Sequence, residues 1–258
     1  MTASGRLDHD HSTEAIRRRL AQEPKVSYLR DWIYGGIDGA VTTFAVVSGV
    51  VGAALSPVVI VILGVANLLA DGFSMAASNF SGTRAEADEY ERLRAVETRH
   101  IQRDPEGERR EIREIYRKKG FDGEDLERAV EVLTADEERW IKTMLREEYG
   151  LAHDVRSPRL AALSTFGAFL VCGAVPLLPY LVPVGWAGAW VGGWAGGGPF
   201  GLSCLLTGLV FVAIGAGRSR WSLAPWWRTG LETLATGGIA ATLAYGAGWA
   251  LRRLIGGG

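Results

Sequence analysis

Acidic side chains interrupt long stretches of this sequence that otherwise carry almost no charge. Residues 32–80 contain no Lys or Arg, and their only acids are Asp38 and Asp71; a further acid, Glu232, lies near the start of another apolar stretch. A carboxylate at the centre of a bilayer costs about 2.5 to 3.5 kcal/mol or more, so such groups usually face a pathway or a partner. Asp38 and Asp71 are therefore expected to be protonated, hydrated or bound to a cation. Glu232 also fits a solvated position at the membrane interface.

A regular stripe of polar side chains contains Asp71. Asn67, Asp71, Met75 and Asn79 recur every four residues, so on a helix they share one face. A carboxylate combined with a thioether suits a borderline-soft divalent ion better than Mg²⁺ or Ca²⁺. The alternative is that Met75 only fills space in the core. Opposite Asp38, the stripe predicts a ladder of ligands along a path for a divalent cation.

The charged middle of the chain holds a second group of candidate metal ligands. Residues 81–156 contain 16 Lys/Arg and 21 Asp/Glu, and helical spacing of the acids arises there by chance as well as by function. A solvated helix face is therefore the alternative for each pair. The candidate ligands, on three predicted helices, are Glu97 and His100, then Glu108, Glu111 and Glu114, then Met144 and Glu148.

These side chains must be positioned by helices, most of which are too apolar for a soluble protein of this size. Residues 160–217 carry no charge at all, and Cys172 and Cys204 both lie in that apolar stretch, as buried thiols do. A bilayer-spanning helix needs about 20 apolar residues. The sequence thus predicts an all-α polytopic membrane protein with five transmembrane helices. These are expected at about 32–55, 58–80, 160–182, 200–217 and 230–251.

The domain organisation follows from this segregation of charge. Basic residues precede the first span and lie in the loop after the fourth span. The loops after the first and third spans contain none. Because Lys and Arg accumulate in cytoplasmic loops, the N-terminus and the middle domain are expected in the cytoplasm and the C-terminus outside. Arg252 and Arg253 run against this trend. The predicted parts are a tail (1–29), spans one and two (30–80), a cytoplasmic helical metal-binding domain (81–156) and spans three to five (157–258).

Local signals divide the middle domain into helices. The first continues the second span to about residue 102, and Asp104 followed by Pro105 starts the next. Gly120 is expected to end that helix, and residues 134–137 have the sequence of a capping box that starts the last one. A loop at 185–199, rich in Gly and Trp, is expected at the membrane interface.

At this point the sequence resembles the vacuolar iron transporter family over residues 30–251. The matching stretches are 30–39 (RDWIYGGIDG), 66–75 (ANLLADGFSM), the acidic insert and 230–232 (GLE). The resemblance implies a homodimer of five-span protomers that exchanges Fe²⁺ for protons. It also implies that Asp38 and Met75 line the translocation path at the dimer interface.

The resemblance further implies that glutamates and a methionine of the middle domain bind metal. The positions that correspond include Glu97, Glu111, Glu114, Met144 and Glu148. Three residues depart from the family's pattern: Asn67 stands where some members have a glutamate, His100 where a glutamate is expected, and Leu145 where a second methionine is expected.

The leading hypothesis is a proton-coupled transporter of Fe²⁺, and of Mn²⁺, that moves metal out of the cytoplasm. No tightly bound cofactor is expected, and Co²⁺ and Zn²⁺ are further possible cargoes. The protein is expected in a bacterial plasma membrane. Its net charge of −1 gives no reason to expect nucleic-acid binding. One alternative is a membrane-bound di-iron ferroxidase, which needs two Glu-x-x-His units where this chain has one. Another is a metal sensor that transports nothing.

Overall fold

The computed structural model describes residues 10–21, 26–151, 156–181, 198–219 and 222–255, and the parts of the chain it describes are helical, with no strand. The tryptophan-rich loop expected at 185–199 lies almost wholly outside these residues. The helices are α1 (Thr13–Leu20), α2 (Leu29–Gly52), α3 (Pro57–Arg103), α4 (Pro105–Lys118), α5 (Gly123–Thr134), α6 (Glu137–Glu147), α7 (Pro158–Ala174), α8 (Leu178–Leu181), α9 (Gly198–Arg218) and α10 (Trp226–Ile255).

Four helical segments are long and apolar enough to cross a bilayer. They are α2, α3, the stretch from Pro158 to Leu181, and α9. A 3₁₀ turn at Val175–Leu177, which contains Pro176, separates α7 from α8, as expected where proline removes a helical hydrogen bond. The expected all-helical architecture, with four candidate membrane-spanning helices, is thus confirmed. The expectation that both cysteines are buried is wrong for Cys204, which is exposed, and holds for Cys172. Helix α10 has 30 residues but does not meet the same test of apolar composition, so the fifth crossing stays a prediction.

Helix α3 is the element that connects the membrane part to the charged part. Its 47 residues run without a break through residues 80 and 81, a length of about 70 Å at 1.5 Å per residue. Its first half packs on one buried apolar cluster, which includes Phe44, Leu68 and Phe169. Its second half packs on another, which includes Leu93 and Trp140. The middle of the chain therefore has an apolar core of its own.

Helices α4 to α6 begin mostly as the local signals predict. Asp104 accepts a hydrogen bond from the Gly107 amide at the start of α4, and Gly120 adopts φ +95° after its end, a conformation that glycine allows without strain. The prediction of a capping box that begins at Thr134 is wrong. Thr134 is the last residue of α5, and Asp136 caps α6 by accepting a hydrogen bond from the Arg139 amide.

Glycines allow α2 to approach its neighbours within the bundle. A Cβ added at Gly35 would lie 2.2 Å from the Thr165 carbonyl oxygen, and one at Gly39 would lie 2.4 Å from that of Phe169. On another part of the helix, Gly52 packs against the carbonyl of Tyr245 in the same manner. Small residues at helix contacts let backbones approach closely within a membrane. Helix α2 is therefore clamped between α7 and α10.

Replacing Gly39 with Ala is expected to destabilise the bundle by about 1 to 3 kcal/mol, because the added methyl must push α2 away from α7. Gly167→Ala on α7 is the matched control, since a Cβ there meets nothing within 4 Å. Thermal unfolding of the detergent-solubilised protein measures both. Equal unfolding temperatures for the two variants would contradict the clamp.

Candidate metal pathway and carboxylate cluster

The polar stripe of α3 faces α2, and two amides establish the register. Asn67 donates to the Thr42 hydroxyl at 3.2 Å, and Asn79 donates to Asp31 Oδ1 at 2.9 Å. Because the helices are antiparallel, the residues between these two contacts also face each other. Asp71 accordingly lies opposite Asp38.

The two facing carboxylates interact with each other. Asp71 acts electrostatically on Asp38, and among the described residues no Lys or Arg forms an ion pair with either. Asp38 is half-buried, whereas Asp71 is exposed on the side of α3 that this chain leaves uncovered. Two unpaired acids at one level of a membrane bundle are suited to hold a cation or a proton.

The remaining candidates of the membrane part differ in their surroundings. Met75 is half-buried and packs beside the apolar cluster, so both its core role and its ligand role remain compatible with its position. Glu232 is exposed and lies 3.5 Å from Arg228, one turn earlier in α10. Its charge is therefore balanced locally, unlike that of Asp38.

Sequence reasoning missed a buried acid next to the stripe. Asp31 is only 4% exposed, and its carboxylate pairs with Arg156 while it accepts from Asn79. Asn79 also donates to the Thr165 hydroxyl at 2.7 Å, so this network joins α2, α3 and α7. Arg156 stacks over the Tyr28 ring with 5.7 Å to its centroid. An acid at the start of one span and an arginine just before another were the available signals.

A cavity of about 300 Å³ lies beside this network. Its lining includes Asp31, Met75 and Asn79 together with Glu86 from the next turns of α3. The cavity therefore brings carboxylate, thioether and amide groups together at the end of the stripe nearest the charged helices.

The second candidate site is a group of acids around the end of α3, here called the carboxylate cluster: Glu97, Glu108, Glu111 and Glu148, with His100. Glu97 and Glu108 are 1% and 4% exposed, although both are acids. His100 Nδ1 lies 3.3 Å from Glu108 Oε1 and 4.0 Å from Glu97 Oε1. The break at Asp104 turns α4 back, which brings Glu108 beside α3.

Neighbouring charges and hydrogen bonds complete the cluster. Tyr149, also missed from the sequence, donates to Glu97 Oε1 at 3.0 Å. Burial raises the pKa of Glu97 against the opposing effects of Tyr149 and His100, and Glu111 raises it further. Burial likewise raises the pKa of Glu148, which also interacts with Glu97 and Glu111. Like charges held this close disfavour ionisation of one another.

One predicted ligand, Glu114, stands apart from this arrangement, and Met144 lies in the core beneath it. Glu114 pairs with Arg117 on the exposed face of α4, because three-residue steps carry it around the helix away from Glu108. Met144 is fully buried in the apolar core of the same helices. The structure therefore brings together Glu97, His100, Glu108, Glu111 and Glu148 and leaves Glu114 outside the group.

The donor set of the cluster fits a divalent cation. The second oxygens of Glu97 and Glu108 are buried and have no hydrogen-bond partner other than a proton that the two carboxyls share with each other, which is costly unless something balances them. In the part of the chain that the structure describes, no three His, Cys, Asp or Glu side chains are already arranged in metal-binding geometry. A bound cation would therefore have to draw these carboxylates together.

Without metal, the protein is expected to be less stable at pH 8 than at pH 6. Burial and the charges of Glu97, Glu111 and Glu148 raise the pKa of Glu108 to about 7, and His100 is the facing basic group. Since this pKa lies above its ordinary value, the protonated carboxyl stabilises the fold at low pH. That contribution is lost as pH rises through about 7, by about 1 kcal/mol between pH 6 and pH 8.

Thermal unfolding of the full-length protein with a chelator tests this expectation. Glu108→Gln should flatten the difference between the two pH values. Glu114→Gln is the matched control, because its carboxylate already has Arg117 as a partner. A Glu108→Gln protein that keeps the full pH difference would show that other groups cause it.

The sequence of this chain matches those of known proteins. The profile of the VIT family matches residues 29–249. A vacuolar iron transporter from Toxoplasma gondii is 32% identical over 232 residues, which cover 89% of this chain and 76% of the relative. Vacuolar iron transporter 1 from Eucalyptus grandis is 27% identical over 254 residues, covering 95% and 97%. The matched range spans the helices that carry the facing acids and the carboxylate cluster, and the chain belongs to the VIT family.

Proposed function

We propose that this protein transports divalent metal, Fe²⁺ and also Mn²⁺, out of the cytoplasm in exchange for protons. The observation that carries the proposal is the pair of facing carboxylates, Asp38 and Asp71, without a cationic partner among the described residues. The names of the relatives support iron as cargo. Membership of a transporter family also favours this function over a ferroxidase.

Metal would move along α3 in three stages. The carboxylate cluster captures the ion, because its buried oxygens lack partners other than the shared proton. The cavity beside Met75 and Glu86 then receives it. Asp38 and Asp71 carry it through the membrane, where a bound cation favours the ionised carboxylate and a proton displaces that cation. Metal and proton thus compete for the same oxygens.

The proposed topology follows the same direction. The N-terminus and residues 81–156 lie on the cytoplasmic side, the C-terminus lies outside, and the membrane is a bacterial plasma membrane. A second copy of the chain covers the side of α3 on which Asp71 is exposed. A homodimer would enclose the facing acids from both sides.

Transport in sealed liposomes is expected to respond to a pH gradient. With the voltage clamped and equal metal concentrations on both sides, an imposed proton gradient should drive a net flux of Fe²⁺ or Mn²⁺. Conversely, a metal flux should move protons in the opposite direction, because coupling between two ligands is reciprocal. A fluorescent metal reporter and an internal pH dye record both movements. If metal flux does not depend on the pH gradient and no opposing proton flux is seen, the protein is a uniporter and the proposed exchange is wrong.

Co²⁺ and Zn²⁺ in the same assay establish selectivity. Liposomes containing the protein that show no metal uptake at all would favour a sensor that uses the carboxylate cluster without transport. Oxygen consumption with Fe²⁺, measured in parallel, reports ferroxidase activity.

A further inference from the structure

A large pocket between the start of α2 and the end of α9 is separate from the carboxylate cluster and shares only Arg30 and Tyr34 with the cavity beside Met75. It encloses about 700 Å³. Arg30 lies at the second position of α2, and Arg218 is the last residue of α9, so both cations mark the same end of the bundle. Two serines, three aliphatic residues and one tyrosine complete the lining: Ser27, Ser222, Leu29, Ile33, Ile37 and Tyr34.

The two arginines have no acidic partner among the described residues. Arg30 stacks over the Tyr34 ring with 5.6 Å to its centroid, which leaves its guanidinium donors available. The nearest acid in sequence, Asp31, is buried and paired with Arg156. The pocket thus has uncompensated positive charge at its mouth, and a planar guanidinium matches the geometry of a phosphate.

The apolar wall determines which kind of phosphate fits. Ile33 and Ile37 follow Arg30 by one and two turns along α2, so they extend from the charged end toward the membrane interior. A free phosphate has no apolar group that could pack against this wall. A phospholipid places its headgroup on the arginines and an acyl chain along the isoleucines. Basic pockets between transmembrane helices are a recognised form of acidic-lipid site.

We propose that this pocket binds an acidic phospholipid from the surrounding membrane. Arg30 and Arg218 hold the phosphate, and Ile33 and Ile37 contact an acyl chain. Arg30 and Tyr34 also border the cavity beside Met75, and Ile37 precedes Asp38. The lipid therefore joins α2 to α9 beside the proposed path and holds the turn that carries Asp38.

The test uses the full-length protein, delipidated in detergent, with phosphatidylglycerol as the probe. Phosphatidylglycerol should raise the unfolding temperature by several degrees more than phosphatidylcholine, since a ligand that binds only the folded state stabilises it. Native mass spectrometry should show retained phosphatidylglycerol. Arg30→Gln with Arg218→Gln should weaken retention at least tenfold, and both side chains are exposed, so gel filtration should show an unchanged fold.

Arg252→Gln with Arg253→Gln is the matched control, because it removes two arginines from the end of α10, outside the pocket. This control should retain lipid as the wild type does. Equal retention by the Arg30/Arg218 variant, or equal stabilisation by phosphatidylcholine, overturns the proposal. Stabilisation by inorganic phosphate alone to the same extent also overturns it in favour of a simple anion site.

Discussion

Asp38→Asn is expected to reduce metal transport to the level of protein-free liposomes while the protein remains folded. Asn has nearly the same shape as Asp, so packing of the half-buried side chain against α3 is preserved. The substitution removes the negative charge that a divalent cation requires and the group that exchanges it for a proton. An intramembrane carboxylate without a basic partner has no evident structural role that Asn would fail to supply.

Two comparison variants sharpen this result. Glu232→Gln removes another acid of the membrane helices, but one that is exposed and already paired with Arg228, so its transport should stay close to wild type. Asp71→Asn should lower transport without abolishing it, because Asp38 remains. Gel filtration and unfolding temperature establish that each variant is folded. If the folded Asp38→Asn variant takes up metal at the wild-type rate, Asp38 is not part of the transport path.

The second large effect is expected at the buried ion pair. Arg156→Met should destabilise the protein by about 3 to 5 kcal/mol, since it leaves Asp31 buried with only its Asn79 hydrogen bond. Asp31→Asn combined with Arg156→Met should recover most of that loss, because a buried neutral amide needs no counter-charge. Chemical or thermal unfolding of the wild type, Asp31→Asn, Arg156→Met and the double variant measures the coupling directly.

Arg159→Met is the control for the first of these substitutions. Arg159 is an exposed arginine in the first turn of α7, so its loss should change stability by less than about 0.5 kcal/mol. If Arg156→Met and Arg159→Met unfold alike, the pair with Asp31 contributes nothing to the fold. If the double variant is no better than Arg156→Met, the loss comes from the stacking of the Arg156 guanidinium over the Tyr28 ring.

Features set by neighbouring residues in the chain were predictable without the structure. Composition alone separates the apolar helices from the charged ones, because a bilayer demands about 20 apolar residues in succession. The continuation of α3 past residue 80 and the start of α4 after Asp104 also follow from local signals. The shared face of Asn67, Asp71, Met75 and Asn79 followed from their four-residue spacing, which determines a helix face whatever lies opposite.

Tertiary structure decided which charged groups are paired. Arg156 lies 125 positions after Asp31, and no local sequence signal relates the two. The sequence therefore did not predict Asp31 as a site residue, although it did predict Glu232. Glu108 and Glu114 share one spacing pattern, yet one is buried beside His100 and the other pairs with Arg117. Burial and partners depend on how helices pack, and packing depends on contacts between residues far apart in sequence. The sequence by itself therefore determined where acids occur along the helices, and the tertiary structure decided which of them remain without a partner and free to bind a cation.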